Sequence, residues 1–433
     1  MNEMFEIAYA AASGRLCLFT GTGFSKAVTD NAAPSWQMLL ESACDHAAQP
    51  DALKAALFPK QGNNPLTLEE SAQVIAIELS KQGKDIHEEI AKNISALSPK
   101  GENSAIVEFL SKRSFDVITT NYDKLVEELA GKKDCHSITP GLPIPRSPAR
   151  VQVYHVHGSI DSPQNMVVTS DDYFRFINSQ SYFSRKLSTV LHENTVVILG
   201  YSLGDTNLKA IISDYNGFSK NHVIGSSIFL VSRSKVDQHI KDYYSHCYGI
   251  RVLDQLEAHQ FFSNLNAAMP AAEKCTVESI QNIRKVIFDK QTFTDKYLGI
   301  ENSFFEIISA LGAIGLSINN AAVVDMLGVV IKAKIRLTQE PSAWVQYEHL
   351  AKWLIYLGTI LKLKGTSIET VYLEATLKSM KSMGASTWGH SWKAYGAWKN
   401  DWSKIIASNR DIIRQYIEGN TDWPDALNVV RSS

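Results

Sequence analysis

Apolar residues follow two regimes along this chain. Through about residue 265 they gather in short unbroken runs such as Leu16-Cys-Leu-Phe19 and Val196-Val-Ile-Leu199, separated by amphipathic stretches, and beyond that point only a helical period remains. An unbroken apolar run of this length marks a strand buried on both faces, as in the interior of a parallel sheet. The predicted strands are Arg15 to Thr20, Phe115 to Thr119, Val151 to His157, Met166 to Thr169, Thr195 to Leu199, Ser227 to Val231 and Ile250 to Leu253. The predicted helices between them are Trp36 to Ala48, Thr67 to Leu79, Asp85 to Leu97, Ser104 to Lys112, Asp123 to Ala130 and Tyr182 to His192. Such alternation predicts an α/β fold, a Rossmann-like doubly wound and mainly parallel sheet, followed by an all-α C-terminal domain. The change of regime sets the expected domains at 1–268 and 269–433.

Composition narrows the class without naming a function. With 43 basic and 45 acidic side chains the net charge of −2 gives no overall attraction to nucleic acid or to an anionic membrane, although a local basic patch stays open. The N-terminus lacks a basic start and apolar core, so no export signal is read and a cytoplasmic location is expected. Cys17, Cys44, Cys135, Cys247 and Cys275 lie far apart, with no spacing for a zinc site or a disulfide framework. Phe304 to Leu316, the most apolar stretch, falls short of the ~20 residues of a membrane helix. Pro140 to Pro148 holds four prolines in nine residues and is expected to be an extended loop bordering the site.

The candidate chemistry concentrates at predicted strand ends. Gly21-Thr-Gly-Phe-Ser25 follows the first strand, where missing side chains let backbone amides approach a pyrophosphate. The third glycine of the common dinucleotide fingerprint is missing, so on its own the turn reads equally as structural punctuation. In Thr119-Thr-Asn-Tyr-Asp123 an asparagine can hold a ribose hydroxyl or an attacking water and an aspartate can accept from a carboxamide. The same residues can equally cap the following helix. Strand alternation puts His155 and His157 on one face. His157, nearest the strand exit, is expected to reach the cleft, with an ordinary pKa of about 6.5 suited to taking a proton. His155, one step deeper, is expected to be a satisfied core histidine, and no nearby carboxylate or cysteine completes a metal site.

Taken in order, these islands resemble the sirtuins, and more closely the divergent sirtuin-like proteins of bacterial antiphage defence. The resemblance spans about residues 14 to 255. Gly21-Thr-Gly-Phe-Ser25 is similar to the sirtuin phosphate-binding turn, Thr119-Thr-Asn-Tyr-Asp123 to the Thr-Gln-Asn-Ile-Asp segment, His157-Gly158 to the catalytic histidine and its glycine, and Gly200-Tyr-Ser202 to a nucleotide-contacting Gly-Thr-Ser. The resemblance implies that Asn121 sits at the nicotinamide ribose, His157 is the general base and Asp123 holds the carboxamide. It further implies that Gly21, Thr22, Gly23, Ser25, Thr120, Gly200 and Ser202 contact the dinucleotide, with a weaker match placing Ser232 at the adenosine ribose.

Departures from the family refine the expectation. Sirtuin deacylases carry a four-cysteine zinc module after the catalytic histidine, whereas Asp161 to Tyr182 contains no cysteine. Their glycine turn continues into Gly-Ile-Pro-Asp-Phe-Arg, whereas this chain reads Asn31-Ala-Ala-Pro-Ser-Trp36. Both weigh against an acyl-lysine substrate and leave water as the nucleophile. The expected activity is therefore cleavage of NAD to nicotinamide and ADP-ribose, with no metal, as an effector of antiphage defence gated by assembly or a trigger. A non-catalytic NAD or ADP-ribose sensor is the alternative, and a protein deacylase a further one. In the helical half, Trp388, Trp392, Trp398 and Trp402 follow a helix period and are expected in a core or a subunit interface. Expected partners are a second copy of the chain, an ATPase or Argonaute protein, or a phage-derived trigger. Neither a membrane nor directly bound nucleic acid is expected.

Overall fold

The computed structural model describes residues 3–145, 149–178, 182–201, 228–288, 291–313, 316–386 and 388–432. Its strands are β1 (Leu16–Thr20), β2 (Phe115–Thr119), β3 (Cys135–Ile138), β4 (Val151–His155), β5 (Thr195–Leu199), β6 (Ile228–Val231) and β7 (Ile250–Leu253). They form one sheet in the order β3-β4-β2-β1-β5-β6-β7, and every pairing is parallel. From the central β1 the chain adds β2 beside it, goes out to the edge strand β3, inserts β4 between β3 and β2, then crosses to the other side of β1 with β5. The switch point lies between β1 and β5, the crevice where open α/β sheets bind ligands.

Twelve helices accompany the sheet among the described residues: α1 (Glu3–Ala12), α2 (Thr22–Val28), α3 (Trp36–Cys44), α4 (Pro50–Leu57), α5 (Leu68–Ser80), α6 (Ile86–Ile94), α7 (Ser104–Lys112), α8 (Leu125–Ala130), α9 (Ser170–Asn178), α10 (Tyr182–Glu193), α11 (Gln238–Tyr248) and α12 (Ala258–Phe288). Local chemistry sets several of their ends. Ser35 accepts from the Met38 amide, Thr67 and Glu70 close a capping box on α5, and Asp85 accepts from the His87 amide. Gly249 ends α11 in the left-handed conformation, φ 65°.

Side-chain alternation divides the sheet between two layers. Leu16, Leu18, Val117, Val153, Val197 and Phe229 face α1, α7, α8 and α12. Cys17, Phe19, Ile118, Tyr154, Ile198 and Leu230 face Val190 and Leu191 of α10 and Tyr244 of α11. A third apolar cluster joins α3, α4, α5 and α6 with Tyr122, Met166 and Val168, forming a small helical lobe over the strand ends.

The helical half continues the first of these layers. Helices from Asp295–Leu298 to Pro424–Val430 share the core that includes Leu16 and Val117. The residue 268/269 division falls inside α12, which packs on α1 and α7. A buried polar clamp crosses the same junction. The Arg251 guanidinium donates to Glu6 Oε1 at 2.5 Å, and the Tyr356 hydroxyl donates to Glu6 Oε2 at 2.8 Å.

Three expectations change. Met166 to Thr169 is not a strand: Met166 and Val168 fill the helical-lobe core, and the Val167 amide bonds to the His157 carbonyl outside the sheet. Cys135–Ile138, too short and too polar to stand out in sequence, pairs at the sheet edge as β3. The tryptophan series does not make one stripe. Trp398 and Trp402 are buried, whereas Trp388, which precedes its helix, is 98% exposed and Trp392 54%.

Candidate active site

Because every strand runs the same way, the predicted islands emerge at one edge of the sheet. Thr20, Thr119 and His155 lie in register across β1, β2 and β4, and Leu199 and Val231 continue the row on β5 and β6. Gly21, Thr120 to Asp123, His157, Gly200 and Ser232 all follow directly from these ends. Ser202, the last residue of the fourth island, lies outside the described residues.

The glycine turn is locked to the neighbouring strand end. The Gly21 amide donates to Leu199 O and the Gly23 amide to Gly200 O, both at 2.9 Å. A Cβ on Gly23 would lie 2.8 Å from Gly200 Cα, and one on Gly200, which has φ +76°, would lie 2.0 Å from Phe24 N. These glycines are required for backbone-to-backbone packing at the switch point, and the two amides expected to meet a pyrophosphate already have acceptors. The α2 helix after the turn has only seven residues, so its dipole adds little there.

Ser25, at the first turn of that helix, organises the second island. Asn121 Nδ2 donates to Ser25 Oγ at 2.8 Å, and Ser25 Oγ donates to Asp123 Oδ2 at 2.7 Å. The Leu125 amide donates to Asp123 Oδ1 at 3.2 Å, so Asp123 also caps α8. Burial raises the Asp123 pKa, against the lowering effects of Ser25, the Leu125 amide and the charge of His155. The Asn121 side chain does not cap the helix; its own amide is held by Thr119 Oγ1 instead.

His157 enters the same cleft, at 4% exposure. The rings of Tyr173 and Phe176 on α9 meet it edge-on at 5.4 and 5.0 Å. No group among the described residues hydrogen-bonds its imidazole, and burial lowers its pKa to about 4, so the ring is neutral at neutral pH. Gly158 follows with φ +86°, where a Cβ would strike the backbone of Asn165 and Met166.

Two clefts run along this edge. The first is open to solvent, spans about 800 Å³ including that open space, and is lined by Ser25, Asn121, Asp123, His157, Trp36 and Tyr173. The second, about 1920 Å³, is lined by Gly23, Gly200, Ser232, Lys26, Arg233 and Lys235. Thr22, Trp36, Thr120 and Tyr201 line both. At this junction the hydroxyls of Thr120 and Tyr201 hydrogen-bond, and the Tyr201 ring packs on Phe19 at 5.1 Å.

Sequence reasoning missed several of these residues. Tyr201 has no sequence signal beyond its place between Gly200 and Ser202, and Trp36, Tyr173 and Phe176 have none separate from helix amphipathicity. His155 is fully buried as expected, but its partners are informative. Its Nδ1 meets the Asn121 carbonyl at 3.1 Å and its Nε2 meets Glu127 Oε1 at 2.8 Å. Among the described residues no group of three or more His, Cys, Asp or Glu side chains is arranged to hold a metal.

A doubly wound parallel sheet with a glycine turn, an asparagine, an aspartate and a histidine gathered at its switch-point edge is the arrangement of a sirtuin-like domain. Residues 116–253, less than half of the chain, match the family described as SIR2-like domain. Defense-associated sirtuin 2 of Bacillus subtilis is 24% identical over 256 residues, covering 58% of this chain and 24% of that protein. NAD(+) hydrolase ThsA of Bacillus cereus (strain MSX-D12) is 27% identical over 200 residues, covering 45% of this chain and 39% of the relative. The ThsA of Cytobacillus dafuensis is 27% identical over 217 residues, with 48% and 39% covered. The chain thus spans well under half the length of these curated relatives.

Proposed function

We propose that this protein is an NAD glycohydrolase that cleaves the nicotinamide–ribose bond of NAD with water, giving nicotinamide, ADP-ribose and a proton, as an effector of antiphage defence. The observation that carries this reading is the Asn121–Ser25–Asp123 hydrogen-bonded set sharing one cleft with a neutral, ring-packed His157. The names of the ThsA relatives, NAD(+) hydrolases, support the substrate, and that of the defence-associated sirtuin supports the setting.

Each side chain then has a task that its hydrogen bonds permit. Asn121 uses its Nδ2 proton on Ser25, which leaves Oδ1 to accept from a ribose hydroxyl or the attacking water. His157, neutral and desolvated, accepts the proton that the water loses as its oxygen bonds to the ribose carbon. The bond to nicotinamide breaks with its electron pair leaving on the ring nitrogen. Asp123, oriented by Ser25 and the Leu125 amide, accepts from the carboxamide N–H group. The second cleft accommodates the adenosine half, with Ser232 on its wall. Gating by a second copy, an ATPase or Argonaute protein, or a phage-derived trigger belongs to this proposal.

The test is nicotinamide release from NAD by the purified full chain, alone and with candidate partners, for wild type, Asn121→Ala and His157→Ala. The expected result is release by wild type and loss in both variants. Binding of NAD without release under every condition would establish the sensor reading instead. Equal turnover of wild type and His157→Ala would remove the base assignment.

A further inference from the structure

His155 lies one layer beneath the site, and its two ring nitrogens both face acceptors. The Asn121 carbonyl opposite Nδ1 can only accept, so Nδ1 must carry a proton. Opposite Nε2 stands Glu127 Oε1, which also receives the Lys124 ammonium at 2.7 Å. Burial raises the Glu127 pKa, but the charge and hydrogen bonds of His155 and Lys124 outweigh it and hold the group down at about 2. The Lys124 ammonium can only donate, so Oε1 is an acceptor toward both of its neighbours and Nε2 must carry a proton as well. Only an imidazolium satisfies both contacts.

We infer that His155 is a positioning residue: a buried imidazolium clamped between Glu127 and the Asn121 carbonyl, which fixes the Asn121–Asp123 loop for the chemistry above it. The inference rests on the proposed reaction for its kinetic consequence, while the clamp itself stands on the geometry. The surrounding charges fit. Lys124 also bonds Asp161 Oδ2 at 2.6 Å and Ser137 Oγ, so His155 and Lys124 are balanced by Glu127 and Asp161. Asp123, in the clamped loop, is the remaining carboxylate that senses the His155 charge, and Cys135 on β3 is the other titratable neighbour of Glu127. A buried ion pair is a poor device for stability alone, because apolar residues of the same volume usually serve as well. What apolar residues cannot supply is a donor to the backbone of Asn121 and a positive charge beside Asp123.

Two substitutions separate the contacts. In His155→Asn the side-chain amide keeps a donor near the Nδ1 position, toward the Asn121 carbonyl. In His155→Gln the donor reaches Glu127 instead. Lys124 continues to satisfy Glu127 in both. The expected result is that His155→Asn keeps kcat within about threefold, whereas His155→Gln loses about 10- to 100-fold with the Kd for NAD nearly unchanged. Full-length protein labelled with 15N at histidine and asparagine should also show His155 protonated on both nitrogens at neutral pH, and a tightly ordered Asn121 side-chain amide that broadens in His155→Gln. A single N–H on His155 in wild type, or equal kcat for both variants and wild type, overturns the inference. If wild type releases no nicotinamide at all, the proposed reaction fails, and the nitrogen protonation and Asn121 resonances still decide the clamp.

Discussion

Ser25→Ala tests whether the site is built as a set. The hydroxyl has one proton and two lone pairs, and its proton is given to Asp123 at 2.7 Å while a lone pair takes Asn121 at 2.8 Å. Its deletion strands an amide and a carboxylate oxygen at a position only 3% exposed. The bond to the carboxylate is charge-assisted, about 1.5–3 kcal/mol, and the bond from the amide about 0.5–1.5. Water entering from the cleft recovers part of that sum, so the expected loss at pH 7 is about 2 kcal/mol in urea unfolding. The sign with pH follows from Asp123. Burial raises its folded pKa above the unfolded value, while Ser25 pulls it down, so the variant's Asp123 titrates higher than that of wild type. The stability difference is therefore full above the variant's Asp123 folded pKa and shrinks as pH falls from there to the lower wild-type value. Nicotinamide release should drop about 10- to 100-fold as Asn121 loses its orientation. A variant with wild-type stability and release, or a stability loss that does not diminish toward acid pH, would refute the reasoning.

Three further outcomes are expected. Gly200→Ala places a Cβ 2.0 Å from Phe24 N and should abolish NAD binding or soluble expression, whereas Gly14→Ala, at φ +69° with nothing within 4 Å, should cost about 1–2 kcal/mol in urea unfolding. The neutral burial of His157 makes stability rise with pH between about 4 and 6.5, because the unfolded chain binds that proton first; the full span is about 3 kcal/mol, and His157→Phe should flatten it in urea midpoints measured across the window. Asn409 is buried in the helical half, accepting from the Leu363 amide and donating to the Gly358 and Leu361 carbonyls. Asn409→Ala should destabilise by about 3 kcal/mol while leaving nicotinamide release per folded molecule unchanged.

The sheet was legible because its strands are buried on both faces and therefore read as unbroken apolar runs. Cys135–Ile138 escaped because an edge strand of four residues needs little apolar character, and Met166 to Thr169 misled because a run filling a helical-lobe core looks the same as a strand. The domain division was less legible for a physical reason. Composition changes where strands cease, but the core does not: Met269 and Ala272 of α12 pack in the same cluster as Leu16 of β1. The Glu6–Arg251–Tyr356 clamp joins residues that no local pattern relates.

The candidate site residues were legible as types at strand ends, but the contacts they make with one another were not. Missing side chains in Gly21-Thr-Gly-Phe-Ser25 suggested open amides, yet the Gly21 and Gly23 amides bond Leu199 and Gly200, and Ser25 gives its proton to Asp123. The glycines hold β1 and β5 close enough for Ser25 to reach the end of β2, a consequence of the strand order that no single-strand motif contains. Under the proposed function, positive charge for a dinucleotide would come from side chains on the wider cleft, Lys26, Arg233 and Lys235, rather than from the turn itself. Charges on such an open rim are screened by salt, whereas the part-buried Asn121–Ser25–Asp123 set and the buried His155–Glu127 pair beneath it are screened less. On the proposed function the fold separates attraction from orientation: a wide, solvated cleft gathers an anionic ligand, and a narrower, part-buried end holds Asn121, Asp123 and His157 for the glycosidic bond.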